Sequence, residues 1–469
     1  MRINKRTILF LIICLGCVLR LFDFITASAI EMDGISYAQM AGSFAKGALI
    51  DGIKGTSFHP LYPFFLSVFS HFIKNFEIAG RVISFTFGIL LIYFVFLFLK
   101  RFLGEKKALY GSFFVAIHPY LVRYSVQVLT ESMATFLFAV AVFFFYKGWK
   151  EKDKTSIGLS GIFLALTYLT KVEYIIYALP FSLLLVKEKR FSHICILLVC
   201  IFLLAFPYVY YLRFETGLWT ITKKTGISEN IINKEIIVYT YASPFLSGLQ
   251  LLKRFPHVVY NFFEAIFPPL FILVILGFKK VERSYRILSI MLVAFHIIGR
   301  VAFSACSTRR YSVEFIPIVM VFAVEGVYVL KGFFEKYRYK NQLYYGSLVL
   351  IVAASLFQGI TFPNKGRGFH KQAGLFLLET DPGKKVVSRL PIVPFYSKGE
   401  FIDISTVRAV KDCAQWAEFM RKIGAKYLVL DDRMVNNPLF QEGCLTNFTF
   451  IVEFKDKSEF VKIYRLNDG

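Results

Sequence analysis

The sequence predicts an all-α polytopic membrane protein with about 11 transmembrane helices and a small C-terminal α/β soluble domain. Of its 469 residues, 56% are hydrophobic and only 19% are charged, whereas an ordinary soluble domain has about 25% charged residues. Apolar runs long enough to cross a bilayer recur along most of the chain, and basic clusters separate them. A soluble protein with large buried helices would need polar surface that these runs do not provide.

The predicted spans define a transmembrane core over residues 1–362. The first apolar run, from Thr7 to Ala29, follows basic residues as in a signal peptide, but it is long and lacks a small-x-small cleavage site. We therefore expect an uncleaved first helix. The other spans are expected at roughly 79–99, 108–122, 128–146, 156–170, 173–186, 191–212, 258–278, 286–303, 312–330 and 343–361.

The charges of the loops predict the orientation of the chain. The short loops near Arg123, Lys171 and Arg309 are much less basic than the loops that alternate with them. The positive-inside rule then places the N-terminus in the cytoplasm, and an odd number of spans places the C-terminal domain outside. We expect a multi-pass protein of the plasma membrane, or of the bacterial inner membrane. The basic clusters lie around residues 2–6, 100–107, 147–154, 187–190, 279–286 and 331–340.

The net charge of +23 does not indicate nucleic-acid binding. The charges lie in short clusters between apolar runs, as in loops on one face of a membrane. No basic patch interleaved with aromatic residues occurs outside the apolar framework. Membrane lipids, rather than nucleic acid, are the expected surroundings.

Three long segments are predicted on the outer side: residues 30–78, residues 213–257 and the α/β domain over 363–469. Long irregular segments of this kind often carry function, so we expect a catalytic or binding face there. In the tail, 385–388 and 426–431 are predicted strands, 415–423 a helix, and 448–454 and 459–465 a hairpin with its turn at 455–458. No GxGxxG, Walker loop or metal-ligand spacing occurs in the tail.

Two cysteines of the tail, Cys413 and Cys444, have two possible states. In an oxidising compartment they could form a disulfide, and otherwise they would be free thiols. Cys14, Cys17, Cys195 and Cys200 fall in apolar runs and are interpreted as small core residues.

Glu31 and Asp33 stand at the outer end of the first predicted span. A charge next to lipid is costly unless it is paired or functional. In an extended loop, residues i and i+2 point to the same side, so the two carboxylates could converge on one substrate or metal. On a helix they would diverge. The structural alternative is a pair of solvated loop acids.

A His-Pro-Leu-Tyr-Pro run follows at His59 to Pro63. Its prolines fix the backbone and are expected to prevent a helix from starting until after Pro63. His59 would be held in a rigid turn as a ligand, a proton carrier or a phosphate contact. The structural alternative is an interfacial histidine that is hydrogen-bonded to a carbonyl.

Charged residues also mark the outer ends of later spans. Glu131 begins a helix, where it would either favour the helix dipole or face an outer cavity. Lys171 could bind a phosphate as a compact cation, or could simply pair with Glu173. Arg309 and Arg310 open another span, where the guanidinium suits phosphate oxygens or the side chains snorkel to the interface. An anionic substrate with a lipid tail would need this set of groups.

These motifs resemble the lipid-linked-sugar-dependent glycosyltransferases of the GT-C fold. The most similar group is the bacterial relatives of the dolichyl-phosphate-mannose protein mannosyltransferases and the lipid A aminoarabinose transferase. The resemblance covers about residues 7–330, and the tail is similar to the soluble outer domain of many bacterial members. The motifs are the acid pair Glu31 and Asp33, His-Pro-x-Tyr-Pro at His59 to Pro63, Thr-Glu-Ser at Glu131, Lys-x-Glu at Lys171 and Glu173, and Arg310-Tyr311 with the later Pro317.

The resemblance implies transfer of a sugar, hexosyl or pentosyl, from a polyprenyl-phosphate donor to a lipid, glycan or protein acceptor. Asp33 would act as the general base on the acceptor hydroxyl, supported by Glu31, with inversion in a single displacement. The donor phosphate would be bound by a set of cations and polar groups. That set is Lys171, Arg310, Arg309, His59 and Tyr62.

A further implied feature is an acidic site formed by Glu131 and Glu173, where a divalent metal is possible. No cofactor is certain. Two departures from the family pattern weaken any statement about the donor sugar: a single proline in His-Pro-Leu where members often have two, and Lys171 where others often have arginine.

Two other functions are compatible with polar residues at membrane depth. The first is a transporter or flippase for a lipid-linked anion, although the sequence lacks the paired, broken halves that are typical of transporters. The second is a scaffold without chemistry, whose outer domain binds partners. The scaffold function predicts that substitutions of Asp33 and Arg310 are silent.

Overall fold

The computed structural model describes residues 4–54, 56–223, 228–230, 235–237, 248–303, 308–361, 367–404, 413–434, 444–455 and 459–467. The chain divides into two compact units. The membrane unit comprises Met1–Ile25 and Tyr37–Thr361. The C-terminal unit comprises Thr26–Ser36 and the chain from Phe362 onward.

The membrane unit is built from helices, and one of them, Met32–Ala45, has its first residues up to Ser36 in the C-terminal unit. Side-chain caps mark where some of them begin: Asn75 accepts a hydrogen bond from the Ile78 amide, and Asp153 accepts from the amides of Thr155 and Ser156. The helices are α1 (Lys5–Thr26), α2 (Met32–Ala45), α3 (Leu49–Ile53), α4 (Leu61–Phe72), α5 (Phe76–Leu103), α6 (Glu105–Ile117), α7 (Pro119–Tyr124), α8 (Glu131–Glu151), α9 (Lys154–Thr170), α10 (Ala178–Lys187), α11 (Phe191–Thr216), α12 (Gly248–Ile266), α13 (Pro268–Gly277), α14 (Arg283–Phe303), α15 (Ile316–Phe334) and α16 (Lys340–Thr361).

Short 3-10 helices and one strand pair connect these helices. The 3-10 helices span Val172–Tyr177, Phe278–Lys280 and Arg309–Phe315. An antiparallel pair, β1 (Ser228–Asn230) and β2 (Glu235–Ile237), lies between α11 and α12.

The polytopic membrane fold that the sequence predicts is confirmed. Among the described residues, 7 helices are long and apolar enough to cross a membrane, or up to 8 if the bent pair of α12 and α13 is one span. Each of the predicted spans is largely helical. The difference in number arises because α6, α9 and α10 contain only 13, 17 and 10 residues. The sidedness of the loops stays a prediction.

The predicted span over 258–278 consists of two helices. α12 ends at Ile266, α13 begins at Pro268, and the two meet at 92°. Phe267 between them has φ +70° and ψ 111°, outside the helical region. Pro268 and Pro269 lack the amide hydrogens that would continue α12, and a residue before proline avoids the helical conformation.

Close packing of backbones joins α13 to α15. A Cβ added to Gly326 would overlap the carbonyl oxygen of Leu273, and one added to Gly277 would overlap that of Phe322. Glycine therefore permits the two helices to touch along their backbones, as small residues do between transmembrane helices.

The prediction of a long irregular loop over residues 30–78 is wrong, because α2, α3 and α4 lie in it. The expectation that no helix starts until after Pro63 is also wrong, because α4 begins at Leu61. A proline in the first turn is tolerated, since an amide there has no partner within the helix. Of the second predicted loop, 213–257, α11 and α12 take the two ends, and much of the remainder lies outside the described residues.

The C-terminal unit contains a five-stranded mixed sheet with the order β4-β3-β5-β7-β6. β3 is parallel to β4 and to β5, and β7 is antiparallel to β5 and to β6. The predicted strands, the predicted helix and the closing hairpin are all present, although residues 456–458 of the turn lie outside the described residues. The elements are α17 (Gly368–Thr380), β3 (Val386–Ser388), α18 (Ile392–Ser397), β4 (Phe401–Asp403), α19 (Cys413–Ile423), β5 (Tyr427–Asp431), β6 (Phe448–Lys455) and β7 (Phe460–Leu466).

Helices cover both faces of this sheet. Trp416 and Met420 of α19 pack with Leu428 of β5, whereas Ala373 and Leu377 of α17 pack with the opposite face. β5 is buried throughout, as is typical of a strand covered on both faces. The unit is therefore an α/β domain, as the sequence predicts.

The cysteines differ between the two units. Cys444 is disulfide-bonded, and the side chain of Cys413 lies outside the described residues. Cys14, Cys17, Cys195 and Cys200 of the membrane unit are free thiols.

Candidate functional site

Three of the predicted residues, Glu131, Lys171 and Arg310, form one charged group in the membrane unit, the Glu131 group. Lys171 Nζ donates to Glu131 Oε1 at 3.2 Å, and Arg310 Nε donates to the same oxygen. The side chains of Glu131, Lys171 and Arg310 are 1%, 8% and 23% exposed. Glu131 Oε2 is buried without a hydrogen-bond partner among the described residues. One carboxylate oxygen therefore holds two cations.

The ends of two consecutive helices bring Glu131 and Lys171 together. Glu131 is the first residue of α8, and Lys171 directly follows the last residue of α9. Because α8 and α9 pack together and only Lys152 and Asp153 connect them, the start of α8 lies beside the end of α9. The helix dipole favours a carboxylate at the first position and a cation at the second. Arg310 reaches the pair from the 3-10 helix that precedes α15.

An aromatic ring extends this group to a further arginine. Lys171 Nζ lies 4.4 Å from the centroid of the Tyr311 ring, and the Arg300 guanidinium carbon lies 3.8 Å from it. Both are within cation–π distance. Arg300 also lies 3.9 Å from a carboxylate oxygen of Glu173. The predicted residue Glu173 therefore belongs to the surroundings of the Glu131 group, through Arg300.

A buried polar network lies nearby and is formed by α14 and the 3-10 helices Val172–Tyr177 and Arg309–Phe315. His296 Nδ1 lies 3.1 Å from the Tyr177 hydroxyl, and its Nε2 lies 3.0 Å from Ser312 Oγ. A carboxylate oxygen of Glu314 lies 3.8 Å from His296 Nδ1. The electrostatic neighbours of Glu314 include Lys171 and Arg300, so this network and the Glu131 group influence each other.

Arg309 and Arg310 have different partners although they are adjacent in sequence. Arg309 forms an ion pair with Glu264 near the end of α12, and its guanidinium carbon lies 5.0 Å from the centroid of the Tyr120 ring. Of the two predicted arginines, Arg310 is the one that contacts Glu131.

His59 and Tyr62 are both buried in the membrane unit. His59 is 3% exposed and packs against the rings of Tyr168 and Tyr208, with centroids 5.0 Å away in each case. Tyr62 is 0% exposed, and its hydroxyl donates to the Gly80 carbonyl at 3.1 Å. These contacts fix both side chains within the helix packing, and their predicted role in donor binding stays a prediction.

Glu31 and Asp33 lie in the C-terminal unit, within Thr26–Ser36. Of the two conformations that the sequence left open for this pair, the helical one is present, because Asp33 is in the first turn of α2 and the Glu31 carbonyl accepts the amide hydrogen of Ile35 at 3.0 Å. The reasoning that residues i and i+2 share a side therefore does not apply. Both acids instead have Arg367 as an electrostatic neighbour.

Sequence reasoning missed Arg300, His296 and Glu314. A signal was present, because ionisable residues inside apolar spans are costly and are commonly functional. Within the described part of the chain, no group of three or more His, Cys, Asp or Glu side chains is arranged to hold a metal ion.

Comparison with known proteins gives one family match. Residues 57–211 match the family model described as Dolichyl-phosphate-mannose-protein mannosyltransferase. His59, Tyr62, Glu131, Lys171 and Glu173 fall within that range. No curated protein sequence matches the chain.

Solved structures resemble nearly the whole chain. ArnT from Cupriavidus metallidurans bound to undecaprenyl phosphate superposes with a TM-score of 0.66 at 12% identity, covering 97% of both chains. The Archaeoglobus fulgidus oligosaccharyltransferase in its apo form gives 0.59 at 12% identity, covering 98% of this chain and 74% of that one. The archaeal oligosaccharyltransferase AglB from Archaeoglobus fulgidus, in complex with an inhibitory peptide and a dolichol-phosphate, gives 0.53 at 12% identity, covering 98% of this chain and 74% of that one. The fold of these enzymes is therefore the fold of this chain.

Proposed function

We propose that this chain, a membrane protein of the GT-C glycosyltransferase fold, transfers a sugar from a polyprenyl-phosphate donor to an acceptor on the outer face of the membrane. The observation that carries the proposal is the buried Glu131 group. Lys171 and Arg310 converge on one carboxylate oxygen, with Arg300 close by across the Tyr311 ring. An anion with a lipid tail is the ligand that such buried cations suit.

The ligands of the similar structures support the choice of donor. ArnT holds undecaprenyl phosphate, and AglB holds a dolichol-phosphate. Both ligands are a phosphate on a long isoprenoid chain. In this chain the phosphate would take Lys171 and Arg310 as partners, in competition with Glu131.

The proposed reaction places negative charge on the departing phosphate. The acceptor hydroxyl oxygen attacks the anomeric carbon, and the bond from that carbon to the phosphate oxygen breaks. The configuration at the anomeric carbon is inverted. The acceptor proton passes to the Asp33 carboxylate, with Glu31 in support. The polyprenyl phosphate leaves with one more negative charge than it carried as a diester. Lys171 and Arg310 would stabilise that charge as it develops.

The disulfide of Cys444 supports an outer location for the C-terminal unit. Disulfides persist in oxidising compartments and are rare in the cytosol. Together with the basic loops that the sequence places on the opposite side, this favours a plasma-membrane enzyme with an extracytoplasmic domain.

The test is sugar transfer in membranes that contain the chain, using a polyprenyl phosphate that carries a labelled sugar. We expect labelled acceptor with the wild-type protein, little with Asp33→Asn, and a loss of roughly 100-fold or more with Arg310→Ala. Asp51→Asn, an exposed acid of α3, is the matched control and should keep its activity.

The outcome of the same assay separates the alternatives. A flippase would move the intact donor across the membrane and release no sugar from the phosphate. A scaffold would give no transfer by the wild-type protein. Full activity in Asp33→Asn would refute the role of Asp33 as the base while leaving the transfer reaction in place.

A further inference from the structure

The chain segment that carries Glu31 and Asp33 folds with the C-terminal domain, although about 330 residues separate them along the chain. The Ile30 amide donates to the Tyr396 hydroxyl at 3.0 Å. A Cβ added to Gly368 would lie 3.6 Å from the Ser28 Cβ. Ala29 and Ile30 are 6% and 0% exposed. The segment is therefore fixed by a specific hydrogen bond and by close packing.

The domain carries arginines where an open sheet of this type binds its ligands. β3 is flanked by β4 on one side and by β5 on the other, with all three parallel. Ligands of such sheets lie outside the carboxyl ends of the strands, at the point where the strand order reverses. Arg389 follows β3 at this point and donates to both carboxylate oxygens of Asp431, the last residue of β5.

Arg367 brings the acidic segment and this edge of the sheet into one electrostatic environment. Its charged neighbours are Glu31 and Asp33 from the segment, and Arg389 and Arg433, which follow β3 and β5. Burial lowers the pKa of Arg367, and the two acids oppose that effect. Asp431 already compensates Arg389, so the acids of the segment supply the negative charge next to Arg367.

We propose that the C-terminal domain positions the acidic segment for the reaction, with Arg367 as a positioning residue and Tyr396 as the anchor of the segment backbone. The domain would then control the transfer step rather than the binding of the donor. The inference rests on the proposed function through the role of Asp33. A carboxylate that accepts a proton must be held within a fraction of an ångström of its working position.

The docking of the segment is tested by a disulfide. In the full-length protein, Ser28→Cys with Gly368→Cys should cross-link, because 3.6 Å between the Cβ positions suits a disulfide. Mass spectrometry of the linked peptides measures it. The matched control is Ser28→Cys with Glu379→Cys on the same helix, roughly 16 Å further along at 1.5 Å per residue. An absent cross-link in the first pair, or an equal one in the control, overturns the docking.

The positioning role is tested by kinetics in membranes. Arg367→Ala and Tyr396→Phe should lower kcat by about 10-fold or more while KM for the donor stays unchanged. Arg421→Ala, an exposed arginine of α19, should match the wild type. Arg367→Lys should recover part of kcat, since it restores the charge. An unchanged kcat, or a raised KM at constant kcat, contradicts the proposal.

A combined variant links the two tests. Arg367→Ala with the Ser28–Gly368 cysteine pair should regain kcat when it is oxidised and lose it again when it is reduced. If the wild-type protein shows no transfer at all, the proposed function fails, whereas the cross-link still decides the docking by itself. The two failures are therefore distinguishable.

Discussion

The ion pair between Glu131 and Lys171 is important for stability because both side chains are buried. Their side chains are 1% and 8% exposed, so water compensates neither charge, and each depends on its partner. Removing one member of such a buried pair leaves the other uncompensated, at a cost of about 3–5 kcal/mol. In the proposed reaction a phosphate would take over the compensating role of Glu131.

The first prediction concerns Glu131→Gln. We expect a lower thermal unfolding temperature than the wild type in detergent, because Lys171 and Arg310 lose their shared carboxylate. Added undecaprenyl phosphate should stabilise the variant more than it stabilises the wild type. Thermal unfolding with and without the lipid measures both effects, and equal shifts in the two proteins would contradict the competition between Glu131 and phosphate.

In the C-terminal domain, Asp431 is likewise a buried carboxylate that depends on its charged partners. It is 2% exposed and accepts hydrogen bonds from Arg389, and His370 Nε2 lies 3.4 Å from Oδ2. Burial alone would raise the pKa of Asp431, but His370 and Arg389 outweigh it and bring the pKa below its ordinary value. An acid with a depressed pKa stabilises the fold above the pKa of its unfolded state, about 3.9. That stabilisation is lost as the pH falls through the folded-state value.

The second prediction follows from the depressed pKa of Asp431. Asp431→Asn should destabilise the domain by about 1.5–3 kcal/mol at neutral pH, and the difference from the wild type should shrink as the pH falls below about 4. Trp416 is buried in this domain and becomes the only tryptophan fluorophore when Trp149 and Trp219 are replaced by Phe. Glu418→Gln, an exposed acid of α19, should behave like the parent. A difference that stays constant down to pH 2 would exclude the ionised carboxylate as its source.

At the scale of elements, glycine determines how closely α13 and α15 approach. The backbone atoms of Leu273 occupy the space where a side chain at Gly326 would begin. Backbone cannot move aside as the end of a flexible side chain can, so the helices must separate if that space is filled.

The third prediction compares two glycines of α15. Gly326→Ala should lower the stability of the membrane unit by about 1–3 kcal/mol. Gly332→Ala should be neutral or slightly stabilising, because a Cβ at Gly332 meets nothing within 4 Å and alanine favours a helix. Thermal unfolding in detergent measures both. Equal stability of the two variants would show that α13 and α15 are not in backbone contact.

Elements that depend on local pattern were predictable, and those that depend on packing were not. The apolar runs predicted the long helices, and short β-like runs predicted the sheet of the C-terminal domain. The helices over residues 30–78 were missed because short helices lack a long apolar run. The bend between α12 and α13 did have a signal, since Phe267 precedes two prolines.

The candidate site was predictable in part for the same reason. Charges at predicted helix ends identified Glu131, Lys171 and Arg310, which the structure brings into contact. Arg300 could not be assigned from local sequence, because its position beside the Tyr311 ring depends on the packing of α14. The placement of Thr26–Ser36 with the C-terminal domain is likewise a long-range contact without a local signal.

At the scale of the whole molecule, the two units have different roles in the proposed reaction. The membrane unit holds the buried cations, and the C-terminal unit holds the acidic segment with the proposed base. This division predicts that variants of the two units differ in their binding of lipid phosphate. Substitutions of Lys171 or Arg310 should weaken the binding of lipid phosphate, whereas Arg367→Ala should leave it unchanged.

Binding of undecaprenyl phosphate by the purified protein in lipid nanodiscs tests the central claim most directly, because it requires no acceptor. Native mass spectrometry should show binding to the wild type and to the control Arg101→Ala, whose side chain is 56% exposed. Lys171→Ala and Arg310→Ala should each bind about 10-fold or more weakly, as expected for the loss of a charge-assisted hydrogen bond. Equal binding by all four proteins, or none by the wild type, would contradict a phosphate site at the Glu131 group.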